Sequence, residues 1–302
     1  VSAAGSIGGT LRLGAGVGQR VSGAVWRWPV SVRVAAAVLV VLVVCALGAD
    51  VLAPLDDRAV DLDNILAGPS WAHPFGTDEV GRDLLARVLH GIRISLAIAS
   101  FAALTAVVIG TIVGVLAGTV GGKVDAVVMR ATDVFASQNH FLFALLLVVL
   151  FRPVLGGAGA IMLSVGLTHW PSLARIVRGE LMSLRELPFV SAAIGGGADR
   201  WRLARRHYLP HLVPAIGLAF VLTVPHAIFH ESALSFLGLG LEPHRASLGN
   251  ILSDGQRSLL AGGWWVALFP GLAILVASMT IGTLAEYFRE QLHPRWRSEL
   301  EL

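Results

Sequence analysis

The sequence predicts an all-α polytopic membrane protein with six transmembrane helices. Three observations predict it. The chain is 55% hydrophobic and only 14% charged, with a mean hydropathy of +0.73, which excludes an ordinary soluble domain. Its apolar residues are gathered into six runs separated by basic or Gly- and Pro-containing segments. Sixteen of the 23 Lys and Arg residues fall in the segments that this arrangement puts on one side, and seven on the other. That excess marks the cytoplasmic side and places both termini there. The net charge of +3 then serves orientation in membrane lipid, and no nucleic-acid partner is inferred.

Residues 1–33 read as a cytoplasmic N-terminal tail carrying Arg12, Arg20, Arg27 and Arg33, with Trp26 and Trp28 at its interfacial end. Residues 34–53 form the first transmembrane helix, because about 20 apolar residues cross a bilayer. It is read as uncleaved: the run is too long for a signal peptide, and Val44, not a small residue, precedes Cys45. Cys45 is the single cysteine, so no intrachain disulfide forms.

Residues 54–93 are an extracytoplasmic loop, acidic at Asp56, Asp57, Asp61 and Asp63, ending in a short amphipathic helix over 84–93. Within it Gly76 and Gly81 permit tight turns, and Thr77, Asp78 and Asp83 are helix-capping types. A capped structural loop is the favoured reading over a ligand contact. The core, 94–288, holds the other five spans, at 94–120, 124–151, 158–173, 212–229 and 264–288. Residues 289–302 are a cytoplasmic C-terminal tail.

The second span carries Gly110, Gly114 and Gly118 on one helix face, a spacing that lets another helix approach closely, within the chain or in a sister subunit. In the third, Arg130 and Asp133 are spaced to pair across one helical face. Ser137, Gln138, Asn139 and His140 are polar at membrane depth, as a helix break or a substrate contact. His226, His230 and Glu231 gather near the outer end of the fifth span. With no fourth ligand fixed by spacing they read as a hydrogen-bond cluster, and no metal site is assigned. No residue is singled out as substrate-binding.

The most informative stretch is 188–214. Arg200, Arg202, Arg205 and Arg206 cannot cross a bilayer, since each would cost about 3 kcal/mol at depth. Before them lie small residues: Ser191, Ala192 and Ala193, then Gly195 to Gly197 and Ala198. A short helix with such a side can be gripped by another protein. Three glycines make a poor helix interior, so the helix is expected to end there, with Gly197 supplying close approach or positive φ. Ala192, Ala193 and Gly197 are expected to face one groove. The only lysine, Lys123, precedes Val124, so no Gly-Lys-Ser/Thr phosphate loop is present and no catalytic residue is assigned.

These motifs resemble the permease subunits of binding-protein-dependent ABC importers, over residues 32–295. The Pro188 region is similar to that family's cytoplasmic coupling loop, matched by Ala192, Ala193, Gly197, Asp199, Arg202, Arg206, His207, Leu209 and Pro210; Ser191 departs from it, standing where a Glu is usual. Further resemblance lies in the run from His73 to Asp83, in Asp125, Arg130 and Asp133, and in Trp170, Pro171, Arg175, Arg178 and Glu180. It lies also in the segment from Phe236 to Gly255, where Leu248 replaces a frequent Trp, and in the ending His293, Pro294, Arg295.

The resemblance is to the dipeptide/oligopeptide/nickel branch and to the second of its two permeases. It implies a type I ABC importer permease fold in a bacterial inner membrane. It implies a coupling loop at 185–210 using Ser191, Ala192, Ala193, Gly197, Asp199 and Arg202. It further implies a homologous sister permease, two ABC ATPase subunits holding ATP and Mg, and an extracytoplasmic substrate-binding protein, with no cofactor in this chain itself. Import of nickel or another small solute is the alternative. An ion-coupled secondary transporter is disfavoured by the lack of an internal repeat and of charge at depth; a non-transporting scaffold is the remaining rival.

Overall fold

The computed structural model describes residues 28–52, 59–242 and 245–292. Arg12, Arg20, Trp26, Arg27, Asp56, Asp57 and the 293–295 ending lie outside them.

The described residues are almost wholly helical. Helix α1 is Val30–Leu47, continued by the single turn α2, Ala49–Leu52. Helix α3, Leu84–Val120, is one unbroken element, so the separate amphipathic helix expected at 84–93 is instead the first turns of the second span. Its start is set by Asp83, whose side chain accepts from the Ala86 N–H at 2.9 Å. Helix α4, Gly122–Ala136, and helix α5, His140–Arg185, follow. The third span is therefore interrupted at Ser137, Gln138 and Asn139. Asn139 caps the restart by accepting from the Phe141 and Leu142 N–H groups, both at 3.1 Å. Helix α6 is Pro188–Gly195, α7 Arg200–Leu203, α8 Leu209–Phe236, α9 Leu248–Leu259 and α10 Trp265–Leu292.

Among the described residues five helices are long and apolar enough to cross a membrane. One of them, α5, supplies parts of two crossings. A straight 46-residue helix would be about 69 Å long, over twice a bilayer core of about 30 Å. Gly156, at φ 69° and ψ 177°, breaks it with a conformation reserved in practice for glycine. Contacts on both arms show the reversal. Asp125 meets Arg178, Asp133 meets Arg175, and the His140 and His169 rings are 5.9 Å apart. Arg152 donates to the Gly238 carbonyl at 2.9 Å, and Gly157 lies against Gly240. Residues 122–155 thus run antiparallel to 157–185, which gives six crossings among the described residues.

The core lies among α3, α5, α8 and α10, where Leu84, Ile161, Ile228, Leu234 and Val266 are fully buried. Gly110, Gly114 and Gly118 face the second arm of α5 within the same chain. A Cβ would lie 2.6 Å from Leu173 Cβ at Gly110, 2.6 Å from the Ala174 carbonyl oxygen at Gly114, and 2.9 Å from Leu181 Cδ2 at Gly118. The obstacle at Gly114 is backbone, which yields least. Gly114→Leu is expected to separate α3 from α5, at a cost of about 3 kcal/mol for overpacking. Membrane abundance and thermal unfolding of the purified subunit read this. Gly118→Ala, opposed by a movable leucine side chain, should stay close to wild type.

The two ends of the bundle differ. Trp28 packs on Tyr287, Arg185 donates to the Gly118 carbonyl, and Phe189 stacks on His211, so these residues share one end. The other end holds the 62–83 loop, the Gly156 turn and α9.

Candidate functional site

The 188–208 segment closes the first of these ends. Pro188 sits at the first helical position of α6, with Leu187 extended ahead of it, as the residue before proline must be. The helix ends in a defined cap. Gly197 adopts φ +80°, its N–H donates to the Ile194 carbonyl at 2.9 Å, and the Ala198 N–H reaches back to the Ala193 carbonyl at 3.0 Å. This is a Schellman stop, with a left-handed glycine and a six-to-one hydrogen bond. A Cβ on Gly197 would meet nothing within 4 Å, so the backbone conformation, and not crowding inside the chain, is what calls for glycine. Asp199 then caps α7, accepting from the Arg202 N–H at 2.6 Å. A π-helical turn, Ala204–Tyr208, leads into α8.

One side of this segment is an anchor. Val190, Leu203, Tyr208 and Leu212 are buried against Val177 and Leu181 of α5, with Ala193 and Ala198 partly buried beside them. The other side is bare: Ser191, Ala192, Gly197, Asp199 and Arg202 are all exposed. The common groove expected for Ala192, Ala193 and Gly197 is corrected on one point. Ala193 turns toward the anchor: it is the third residue from the helix end, where this cap directs an apolar side chain inward, and with Ala198 it packs against the buried cluster. Two residues that sequence reasoning missed join the exposed side, Ile194 at 56% and Trp201 at 68% exposure, with Arg205 over the Trp201 ring at 5.5 Å. Their signal was available: bulky apolar residues within a basic island.

Behind the segment, Asp125 binds Arg178 through two hydrogen bonds of 2.5 and 2.6 Å, and Arg175 donates to Asp133 at 3.1 Å. The Arg130–Asp133 pair expected within one helix is not formed. Asp133 is taken by Arg175, and α4 is tied across to the end of α5.

At the opposite end the 73–83 run is a structural lock. Asp78, fully buried, accepts from the Val80 and Arg82 N–H groups, from Arg82 Nε at 2.7 Å and from Arg87 at 2.5 Å. Arg87, 1% exposed, also donates to Asp254 at 2.9 Å, joining the loop to α3 and α9. Trp265 donates to the Thr77 carbonyl at 3.0 Å, and Phe75 stacks on Phe269 at 4.0 Å, joining it to α10.

Glu231 does not converge with His226 and His230. Glu231 is fully buried, taking hydrogen bonds from Ser232 and Ser235 of its own helix. The cause is helical geometry: neighbouring positions 230 and 231 point about 100° apart. His230 faces His169 and Phe141 instead. Among the described residues no group of three His, Cys, Asp or Glu is placed to hold a metal ion.

This architecture is that of a multi-pass helical membrane protein carrying a short helical segment on one end. Residues 110–298 match the family described as the binding-protein-dependent transport system inner membrane component. The chain belongs to that family and is an inner-membrane protein. It is 37% identical over 229 residues, 76% of this chain and 71% of the relative, to the dipeptide transport system permease protein DppC of Bacillus subtilis. It is 35% identical to the glutathione transport system permease protein GsiD of Pectobacterium atrosepticum, covering 88% of each chain. Identity to the probable D,D-dipeptide transport system permease protein DdpC of Escherichia coli is 33%, covering 86% of each. Among solved structures, an inward-facing MetNI methionine ABC transporter matches with TM-score 0.55 and 19% identity, over 67% of this chain and 95% of that one. At that identity the match speaks for the fold alone.

Proposed function

We propose that this chain is one permease subunit of an ATP-driven importer of dipeptides or oligopeptides, resembling the second of the two permeases in such systems. The observation that carries the reading is the 188–208 segment: a capped helix pinned by apolar residues on one side and bare on the other, at the basic end of a bundle whose relatives are peptide permeases. In this reading Ser191, Ala192, Gly197, Asp199 and Arg202, with Ile194 and Trp201, form the surface that an ABC ATPase grips, and Ala193 holds it in place.

The basic end faces the cytoplasm, because Arg200, Arg202, Arg205, Arg206 and Arg289 gather there. The 62–83 loop and α9 then face the substrate-binding protein. A homologous sister permease completes the passage, and two ATPase subunits supply ATP and Mg. Nucleotide from inside and loaded receptor from outside bias one two-state bundle.

The test is uptake of dialanine into vesicles that contain the four membrane and ATPase subunits, with ATP on the ATPase side and the binding protein on the other. Accumulation is expected only with ATP. Equal accumulation driven by an ion gradient without ATP would favour a secondary transporter. With Lys123 followed by Val124, the chain has no phosphate loop of its own. The purified subunit alone is therefore expected to hydrolyse no ATP; turnover by a preparation free of ATPase subunits would contradict this.

A further inference from the structure

A second polar site lies halfway through the bundle. His169 is roughly 20 Å from the Gly156 turn and roughly 24 Å from Arg185, at about 1.5 Å per residue. Its ring is 4.8 Å from that of His230 and 5.9 Å from that of His140, and His226 lies one helical turn before His230 on the same face of α8. His140 and His226 are exposed on the isolated chain, as are Ser137, Gln138 and Asn139 beside them. Against lipid tails such groups would go unsatisfied, at several kcal/mol each. Polar side chains at this depth face a bundle interior or a water-filled cavity.

The backbone carbonyls beside two of these rings favour one tautomer. His169 Nδ1 is 2.9 Å from the Val165 carbonyl and His226 Nδ1 is 3.2 Å from the Leu222 carbonyl. A carbonyl only accepts, so it is the tautomer with its hydrogen on Nδ1 that satisfies both contacts, with the Thr168 hydroxyl, 3.0 Å from His169 Nδ1, able to accept as well; Nε2 of the neutral ring is then left as an acceptor. The Nδ1 of His230 is buried without a partner.

We propose that His140, His169, His226 and His230 line the solute passage and offer acceptor nitrogens to the N–H and ammonium groups of a passing peptide. This rests on the importer reading and adds to it the place and the chemistry of contact.

The test uses the assembled importer in vesicles, with Cys45→Ser as background. His140→Cys and His226→Cys are exposed to a membrane-impermeant thiol reagent. Leu146→Cys, at a 61% exposed apolar position on the same arm of α5, is the control. Both histidine positions are expected to react at least tenfold faster than the control. Equal, slow reaction at all three would overturn the proposal, since the face would be covered by lipid or dry protein.

In parallel, His169→Leu is expected to lower ATP-driven dialanine uptake about tenfold. His169→Gln, which restores an acceptor oxygen, should recover most of it. Leu and Gln variants with equal uptake would overturn the acceptor role. If the unmodified importer showed no ATP-driven uptake, the importer reading itself would fail, whatever the thiol reactivity.

Discussion

Gly197→Val is expected to leave the subunit in the membrane at normal abundance and to abolish solute-stimulated ATP hydrolysis by the assembled importer. At φ +80° an L-residue is strained by about 1–2 kcal/mol, and a β-branched one by more. Nothing crowds the new side chain, so the damage is confined to the backbone. Relief of the strain moves Gly197 out of the left-handed region, which breaks the Ala198-to-Ala193 and Gly197-to-Ile194 hydrogen bonds that end α6. The anchor of Val190, Leu203 and Tyr208 stays buried, so the subunit persists while its exposed surface is remodelled. Stimulation is expected to fall at least tenfold, with Gly197→Ala intermediate. Full stimulation and uptake in the Val variant would show that the segment does not transmit through this cap.

Asp78→Ala is expected to act on the fold itself. The variant leaves Arg87, 1% exposed, with Asp254 alone, and removes the acceptor of two loop N–H groups and of Arg82. Breaking a buried pair from one side costs about 3–5 kcal/mol, because the remaining charge stays out of water. Asp78→Asn keeps an oxygen for the loop N–H groups and should fall between. Thermal unfolding and membrane abundance are expected to rank wild type above Asn above Ala. An Ala variant as stable as wild type would mean that the loop is not a lock.

The helical class, the apolar crossings and the glycine stop at 197 were legible in the sequence because each rests on local chemistry: a run of apolar residues, three glycines in a row, charges that cannot cross. What escaped was whatever depends on partners distant along the chain. Asp133 has a helical neighbour of opposite charge in Arg130 yet binds Arg175, a choice that exists only once the chain turns back at Gly156. Of the Asp78–Arg87–Asp254 network only Asp78 was legible, as a capping type, since its third member is remote in sequence. Glycines 110, 114 and 118 announced a close approach without saying to what. The histidine face could not be assembled from the sequence either, because its members come from both arms of α5 and from α8.

The most direct measurement of the central claim is cross-linking from the exposed side of α6. In a Cys45→Ser background, Ala192→Cys within the assembled importer would be treated with a short thiol-to-amine cross-linker. The expected product joins this subunit to an ABC ATPase subunit, and its yield should change when ATP hydrolysis is trapped. Ala192→Cys that cross-links to no ATPase in any nucleotide state, and that is instead modified by an impermeant thiol reagent added on the binding-protein side, would contradict both the docking surface and the orientation.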